Sequence, residues 1–142
     1  MFRFGISNFT FSPPVLLKKP CTGQVWEMAQ PWEVAWKDIF SLRTLTIPAG
    51  FQTDLMTCPL KPAGNETIAS LLHDGLYVQQ PEWCSRDYAD EAFLALLLHC
   101  GVPSPLGKRY YYAVQALGFI WWERRRRVGT PLATPGEPGE PA

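Results

Sequence analysis

The sequence predicts an α+β protein with a small N-terminal antiparallel sheet, three helices after it and a disordered C-terminal tail. Three observations predict this class. Up to about residue 50, short segments alternate between apolar and polar residues and are separated by Pro and Gly, a pattern typical of antiparallel strands. After Pro62, apolar residues recur with the three- and four-residue spacing of helices. Residues 129–142 are rich in Pro and Gly, which indicates a flexible segment.

Length and composition indicate a single folded domain at residues 1–128, followed by the flexible tail at residues 129–142. A chain of 142 residues can bury a core without disulfide bonds, and 46% of its residues are hydrophobic. The 13 basic and 13 acidic residues cancel, so the chain lacks the positive excess of a dedicated nucleic-acid-binding protein. We therefore expect no nucleic-acid partner.

No segment of the sequence predicts a membrane span or an export signal. The apolar runs fall short of the roughly 18–20 residues that cross a bilayer. Met1–Leu17 lacks a basic start followed by a long apolar stretch, so we expect no signal peptide. The four cysteines are widely spaced, without the close pairs of a zinc site, and we expect buried or half-buried thiols.

The N-terminal part contains four predicted strands. The alternation at Trp32, Val34 and Trp36 places these three side chains on one face of a strand. Pro and Gly residues between the segments are typical of turns. The predicted strands are Phe2–Phe4, Val25–Met28, Trp32–Trp36 and Thr44–Ile47.

Two helices are predicted between Pro62 and Pro103. Asn65 or Thr67 can cap the first, which ends before Pro81. Ser85 is the predicted N-cap of the second, and Gly101 marks its end.

A third helix is predicted from about Leu106 to Arg127, and it ends in four consecutive arginines. Positive charge is favourable at a helix C-terminus because of the helix dipole. The same run could instead bind a phosphate or a lipid headgroup, and the sequence leaves both interpretations open. The predicted inward stripe of this helix consists of Tyr110, Val114, Leu117 and Trp121.

Polar residues that could carry chemistry lie on the first two helices. His73 and Tyr77 are four residues apart and share a face, whereas Asp74 is rotated by about 100° from His73. Asp90 is on the predicted inward face of the second helix, from where it could meet the imidazole. A carboxylate on one ring nitrogen makes the other a better general base. The alternative is a buried hydrogen-bond network that only fixes the packing of the core.

A metal site can also be predicted around Asp74. Calcium binds several oxygen ligands, including carboxylates and backbone carbonyls. Asp54 follows a predicted turn, and the carbonyl of Leu55 is next to it. We therefore expect Asp54, Leu55 and Asp74 as candidate ligands of a calcium ion, the one candidate cofactor.

The motifs resemble those of an uncharacterised protein family of tailed bacteriophages and prophages. The segments IPAGFQTDLMTCP and LLHDGLY and the helix that begins at SRDYADEAF follow one another in the order of that family. The resemblance covers residues 47–118. It implies a phage protein that is located in the host cytoplasm or in the virion.

A second, weaker resemblance is to secreted phospholipases of the bacterial and fungal type. It covers Thr53–Thr57, His73–Tyr77 and Arg86–Phe93. The resemblance implies that His73 deprotonates a water molecule and that Asp90 orients the imidazole. It also implies that Asp54, the Leu55 carbonyl and Asp74 hold calcium. Tyr77 falls at the tyrosine of the same motif and is the third candidate catalytic residue.

Together these features predict a phage-encoded, phospholipase-like ester hydrolase that acts at the host envelope on a lipid or another ester. The alternative is a non-catalytic virion or assembly protein whose partners are other phage structural proteins. In that case the His and Asp residues are structural, and the aromatic N-terminal part contacts another subunit.

Overall fold

The computed structural model describes residues 3–18, 26–53 and 65–128. For residues 18, 65 and 124–128 it describes the backbone alone. Strands occupy the first part of the described chain and three helices the second part, so the predicted α+β class is confirmed. The predicted tail at residues 129–142 lies outside the described residues. The strands are β1 (Ser7–Phe11), β2 (Leu16–Lys18), β3 (Trp26–Met28), β4 (Trp32–Lys37), β5 (Leu42–Ile47) and β6 (Gln52–Thr53). The helices are α1 (Asn65–Gln79), α2 (Arg86–His99) and α3 (Ser104–Val128).

The strands form two antiparallel sheets of three strands, in the orders β1-β4-β5 and β2-β3-β6, where one sheet was predicted. The β4–β5 hairpin is the most regular part, with Trp32 opposite Ile47 and Lys37 opposite Leu42. Trp32, Val34 and Trp36 are buried while the residues between them are less so, as the alternation predicts. This face and the helices form the core.

The predicted strand at Phe2–Phe4 is wrong for the residues that the structure describes. Arg3 and Phe4 precede β1, and the Glu91 carboxylate accepts hydrogen bonds from both of their backbone N–H groups, at 2.7 and 2.9 Å. These donors are therefore bound to a side chain of α2 and not to a neighbouring strand. β1 was not among the predicted strands. Its pairing with β4 is irregular between Ser7 and Thr10, so the regular alternation is limited to Phe9, Thr10 and Phe11.

α1 begins at Asn65, so Thr67, the other residue predicted as a possible cap, lies inside the helix. The ends of α2 follow the predicted signals. The Ser85 hydroxyl accepts a hydrogen bond from the backbone N–H of Tyr88 and caps α2. At the other end, Gly101 has a φ of +92° and the N–H of Val102 donates to the Leu97 carbonyl, which is a glycine-terminated helix end.

The predicted inward stripe of α3 is correct in its first half and wrong in its second. Tyr110 and Val114 are buried, whereas Leu117 and Trp121 are about half exposed. The buried positions continue at Gly118 and Trp122 instead. The helix packs closely against α1 at Gly118, where an added side chain would overlap the Tyr77 hydroxyl. A hydrophobic pattern does not reveal such a position, because glycine has no apolar side chain.

Asp38, at the β4–β5 turn, connects the hairpin to α2. Its buried carboxylate accepts hydrogen bonds from the backbone N–H groups of Phe40 and Ser41, from Arg43 Nε at 3.0 Å and from the Tyr88 hydroxyl at 2.5 Å. Burial raises the pKa of Asp38, but these hydrogen bonds together outweigh it and lower the pKa to about 2.

The Asp38→Asn substitution is expected to lower the free energy of unfolding by about 2 kcal/mol at neutral pH. The folded-state pKa lies below the ordinary aspartate pKa of 3.8, so the stabilisation is present above that pH and is lost as the pH falls through about 2. Chemical denaturation between pH 7 and pH 2 measures the difference between variant and wild type. Glu33→Gln, an exposed acid on β4, is the control. A deficit of equal size at pH 2 would contradict this assignment.

No helix within the described part of the chain combines the length and the apolar character that crossing a membrane requires.

Candidate functional site

The candidate site lies where α1 and α2 pack side by side after the short connection that joins them. His73 Nε2 lies 2.7 Å from Asp90 Oδ1, and the Tyr77 hydroxyl donates to the same oxygen at 2.7 Å. The predicted contact between Asp90 and the imidazole is therefore present. His73 and Tyr77 are one helical turn apart on α1, so both reach the same carboxylate.

Two further donors bind the other carboxylate oxygen of Asp90. Gln115 Nε2, from α3, lies 2.6 Å from Asp90 Oδ2, and Arg86 Nη1 lies 3.4 Å from it. The Asp90 side chain has no exposed surface. Four donors, one of which is the cation Arg86, thus compensate the cost of burying this carboxylate.

Arg86 and Gln115 are not among the predicted site residues. Arg86 precedes Asp90 by four residues on α2, and this spacing is a signal that could have found it. Gln115 had no comparable signal, because its contact depends on how α3 is rotated against α2. Arg86 also donates to the Gln115 carbonyl at 3.3 Å, which joins the two helices.

The imidazole of His73 is held between two aromatic rings and still reaches the surface. Its centroid lies 4.2 Å from that of Tyr77 and 5.0 Å from that of Phe93. The side chain is 12% exposed. In the neutral imidazole, Nε2 donates to the Asp90 carboxylate, which can only accept, and Nδ1 carries the lone pair. No hydrogen bond to Nδ1 is found within the described residues.

Tyr77 acts as a donor in this network. Burial raises the pKa of its hydroxyl and the nearby Asp90 raises it further, so the phenol keeps its proton at neutral pH. The ring packs edge-on against Trp122, with centroids 5.1 Å apart, and lies against Gly118. The tyrosine therefore fixes the position of the Asp90 carboxylate.

A cysteine near Asp90 is not a competing nucleophile. Cys84 is a buried free thiol just before α2. Burial raises the pKa of this thiol to about 12, and the charge of Asp90 contributes. The reactive thiolate is therefore absent at neutral pH.

Asp74 points away from the His73–Asp90 pair, as the rotation between neighbouring helical residues predicts. Its carboxylate accepts a hydrogen bond from the hydroxyl of Thr53, at the end of β6. Asp54 and Leu55, the other predicted calcium ligands, follow Thr53 in the sequence but lie outside the described residues. Within residues 3–18, 26–53 and 65–128, no group of three or more His, Cys, Asp or Glu residues is arranged to hold a metal ion. The described part of the chain thus supplies one carboxylate of the predicted calcium site.

Fold and site together define a small α+β protein with a His-Asp pair at the packing interface of two helices. A family model described as "Protein of unknown function (DUF1353)" matches residues 26–114, which is more than half of the 142 residues. The chain therefore belongs to the DUF1353 family. This confirms the predicted membership of an uncharacterised family. Neither a curated protein nor a solved structure matches the chain.

Proposed function

We propose that this protein is an ester hydrolase with phospholipase-like chemistry. The observation that carries the proposal is the His73–Asp90 pair, in which the carboxylate binds Nε2 of a histidine whose side chain is 12% exposed. A packing network alone does not require the histidine to reach the surface, whereas a general base must do so.

The reaction uses a water molecule that donates a hydrogen bond to His73 Nδ1. The imidazole takes a proton from this water as its oxygen forms a bond to the ester carbonyl carbon. Asp90 stabilises the imidazolium that results, and Tyr77 and Gln115 keep the carboxylate in place. The imidazolium then returns the proton to the alcohol oxygen as the ester C–O bond breaks, and a carboxylic acid and an alcohol are released.

Calcium is the proposed cofactor, and Asp54, the Leu55 carbonyl and Asp74 are its proposed ligands. The oxygen chemistry of these groups fits a hard cation. The hydrogen bond from Thr53 to Asp74 supports the choice, because Asp54 is the next residue in the chain. When bound, the ion would polarise the ester carbonyl and stabilise its oxyanion.

The proposed substrate is a phospholipid of a bacterial envelope. This choice follows from the resemblance of residues 47–118 to proteins of tailed phages and prophages, for which the host envelope is the barrier. We accordingly propose a phage or prophage origin, with action from the host cytoplasm or from the virion.

A non-catalytic role in the virion or its assembly is the second candidate, and one observation favours it. Ile39, Phe40 and Leu42, at the β4–β5 turn, are 64 to 80% exposed. Asp38 fixes this turn through its bonds to Phe40 and Ser41. A rigid apolar projection of this kind suits contact with another protein subunit.

Fatty-acid release from phosphatidylglycerol vesicles distinguishes the two candidates. The purified full-length chain should release fatty acid in the presence of calcium and lose this activity in a chelator. A soluble short-chain phosphatidylcholine should also be hydrolysed, since the chemistry does not depend on a bilayer. Absence of turnover on every ester tested, with or without calcium, would overturn the hydrolase and leave the structural role.

Calcium is expected to raise the thermal unfolding midpoint of the wild-type protein, because a ligand that binds only the native state stabilises it. Asp74→Asn and Asp54→Asn should each remove this shift. Differential scanning fluorimetry with and without calcium measures it. Glu82→Gln, an exposed acid in the α1–α2 connection, is the control and should keep the full shift. An unchanged midpoint in the wild type, or an equal shift in all variants, would refute the calcium site.

A further inference from the structure

The outer surface of α3 changes character along the helix. Lys108 and Arg109, in its first half, are exposed and charged. In its second half the exposed side chains are large and apolar. Leu117, Phe119, Ile120 and Trp121 are between 47 and 50% exposed. We refer to these four residues as the α3 apolar surface.

The α3 apolar surface is next to the strongest local charge in the chain. The helix backbone continues through four arginines at positions 124–127 and ends at Val128. Four arginines and one glutamate, Glu123, give residues 117–128 a net charge of +3 in a chain whose total is zero. Position 124 follows Leu117 by seven residues, or two helical turns, and so falls on the same side of the helix.

We infer that this end of α3 binds the surface of an anionic lipid bilayer. Apolar side chains can enter the acyl boundary while arginines meet the lipid phosphates, as in interfacial helices generally. The inference extends the proposed function, on which it rests for the choice of a lipid over a protein. Binding to the bilayer would bring the hydrolase to its insoluble substrate.

The apolar residues are spread around the helix, which favours contact with lipid chains over contact with a rigid protein surface. Successive residues are 100° apart, so the three residues from Phe119 to Trp121 span about 200° of the circumference. A rigid partner surface meets one side of a helix, whereas lipid chains adapt to several sides at once. Trp122, the last buried residue of α3 among the described side chains, packs against Tyr77 of α1, and Gln80, just after α1, donates to its backbone carbonyl.

The charge of this segment argues against a second copy of the chain as the occupant. A symmetric dimer would bring the same surface of both copies together. The arginines of the two copies would then lie close to each other, and like charges repel. The surface of an anionic bilayer has the charge that is complementary to the arginines.

Vesicle flotation with ether-linked phospholipids tests the inference without any hydrolysis, because these lipids contain no ester. The full-length protein should float with vesicles that contain phosphatidylglycerol and not with pure phosphatidylcholine. The double variant Arg124→Gln/Arg125→Gln should weaken binding at least roughly tenfold, since each arginine near the surface contributes about 1 kcal/mol. The double variant Leu117→Gln/Ile120→Gln should weaken it by a similar factor.

Each variant has a matched control elsewhere in the chain. Lys108→Gln/Arg109→Gln removes two exposed charges from the same helix, and Phe40→Gln/Leu42→Gln removes two exposed apolar residues from the β4–β5 turn. Both controls should bind like the wild type. Thermal unfolding of all variants checks that they are folded.

Three results would overturn the inference. The wild type fails to float with anionic vesicles, or the controls lose as much binding as the α3 variants. The third result is a dimer, or a complex with an acidic protein, that light scattering detects for the wild type and not for Leu117→Gln/Ile120→Gln. Hydrolysis of a soluble short-chain ester with no vesicle binding would reject this surface and retain the proposed function. Vesicle binding without any hydrolysis would retain this surface and reject the proposed function.

Discussion

Replacing His73 with glutamine is expected to lower the rate of ester hydrolysis at least about 10²-fold, because the proposed general base is lost. Glutamine can still donate its amide hydrogen to Asp90, so the buried carboxylate keeps four donors. The fold should therefore be retained. Initial rates on a soluble short-chain phospholipid, together with the thermal unfolding midpoint, measure the two effects separately.

The control for this experiment is His99→Gln. His99 is the other histidine of the chain and lies exposed at the end of α2. Its ring packs at a steep angle against the rings of Phe9 and Phe11, and not against Asp90. This variant should keep the wild-type rate. If His73→Gln keeps that rate too, the pair is a packing network and the proposed mechanism is wrong.

Replacing Asp90 with asparagine is expected to lower the free energy of unfolding by about 3 kcal/mol, within the range for breaking a buried ion pair. One oxygen can still accept from His73 and Tyr77. The new amide group would face Gln115 Nε2, so two donors would oppose each other. Urea denaturation measures the difference.

A smaller change in the same network helps to interpret that result. Gln115→Met removes one of the four donors and should cost about 1 kcal/mol. Asp87→Asn, on the exposed side of α2, should change stability little, since its side chain is 51% exposed. An Asp90→Asn variant as stable as Asp87→Asn would mean that the Asp90 network does not hold the helices together.

The elements that the sequence predicted best are those with strong local signals. The alternation at Trp32, Val34 and Trp36 and the caps at Ser85 and Gly101 depend on residues close in sequence, and the structure confirms them. The contact between His73 and Asp90 was predictable because both lie on the inward faces of neighbouring helices.

The rest of the site and fold depends on contacts that local patterns do not contain. Gln115 reaches Asp90 only because α3 packs with Gly118 against Tyr77, and this packing also turns Leu117 outwards. β1 is irregular where it pairs with β4, so its alternation is limited to Phe9, Thr10 and Phe11, which is too short to predict a strand. The separation of the strands into two sheets depends on pairings between distant segments, such as β3 with β6.

The bond between Glu91 and the N–H groups of Arg3 and Phe4 joins residues that are 88 and 87 positions apart. As a ribosome makes the chain, those amides emerge long before the carboxylate that will receive them. The start of the protein thus cannot reach its final place until most of the helical half has been synthesised. Contacts of such long range form slowly, so the attachment of residues 3 and 4 to α2 is a late event in the folding of the chain.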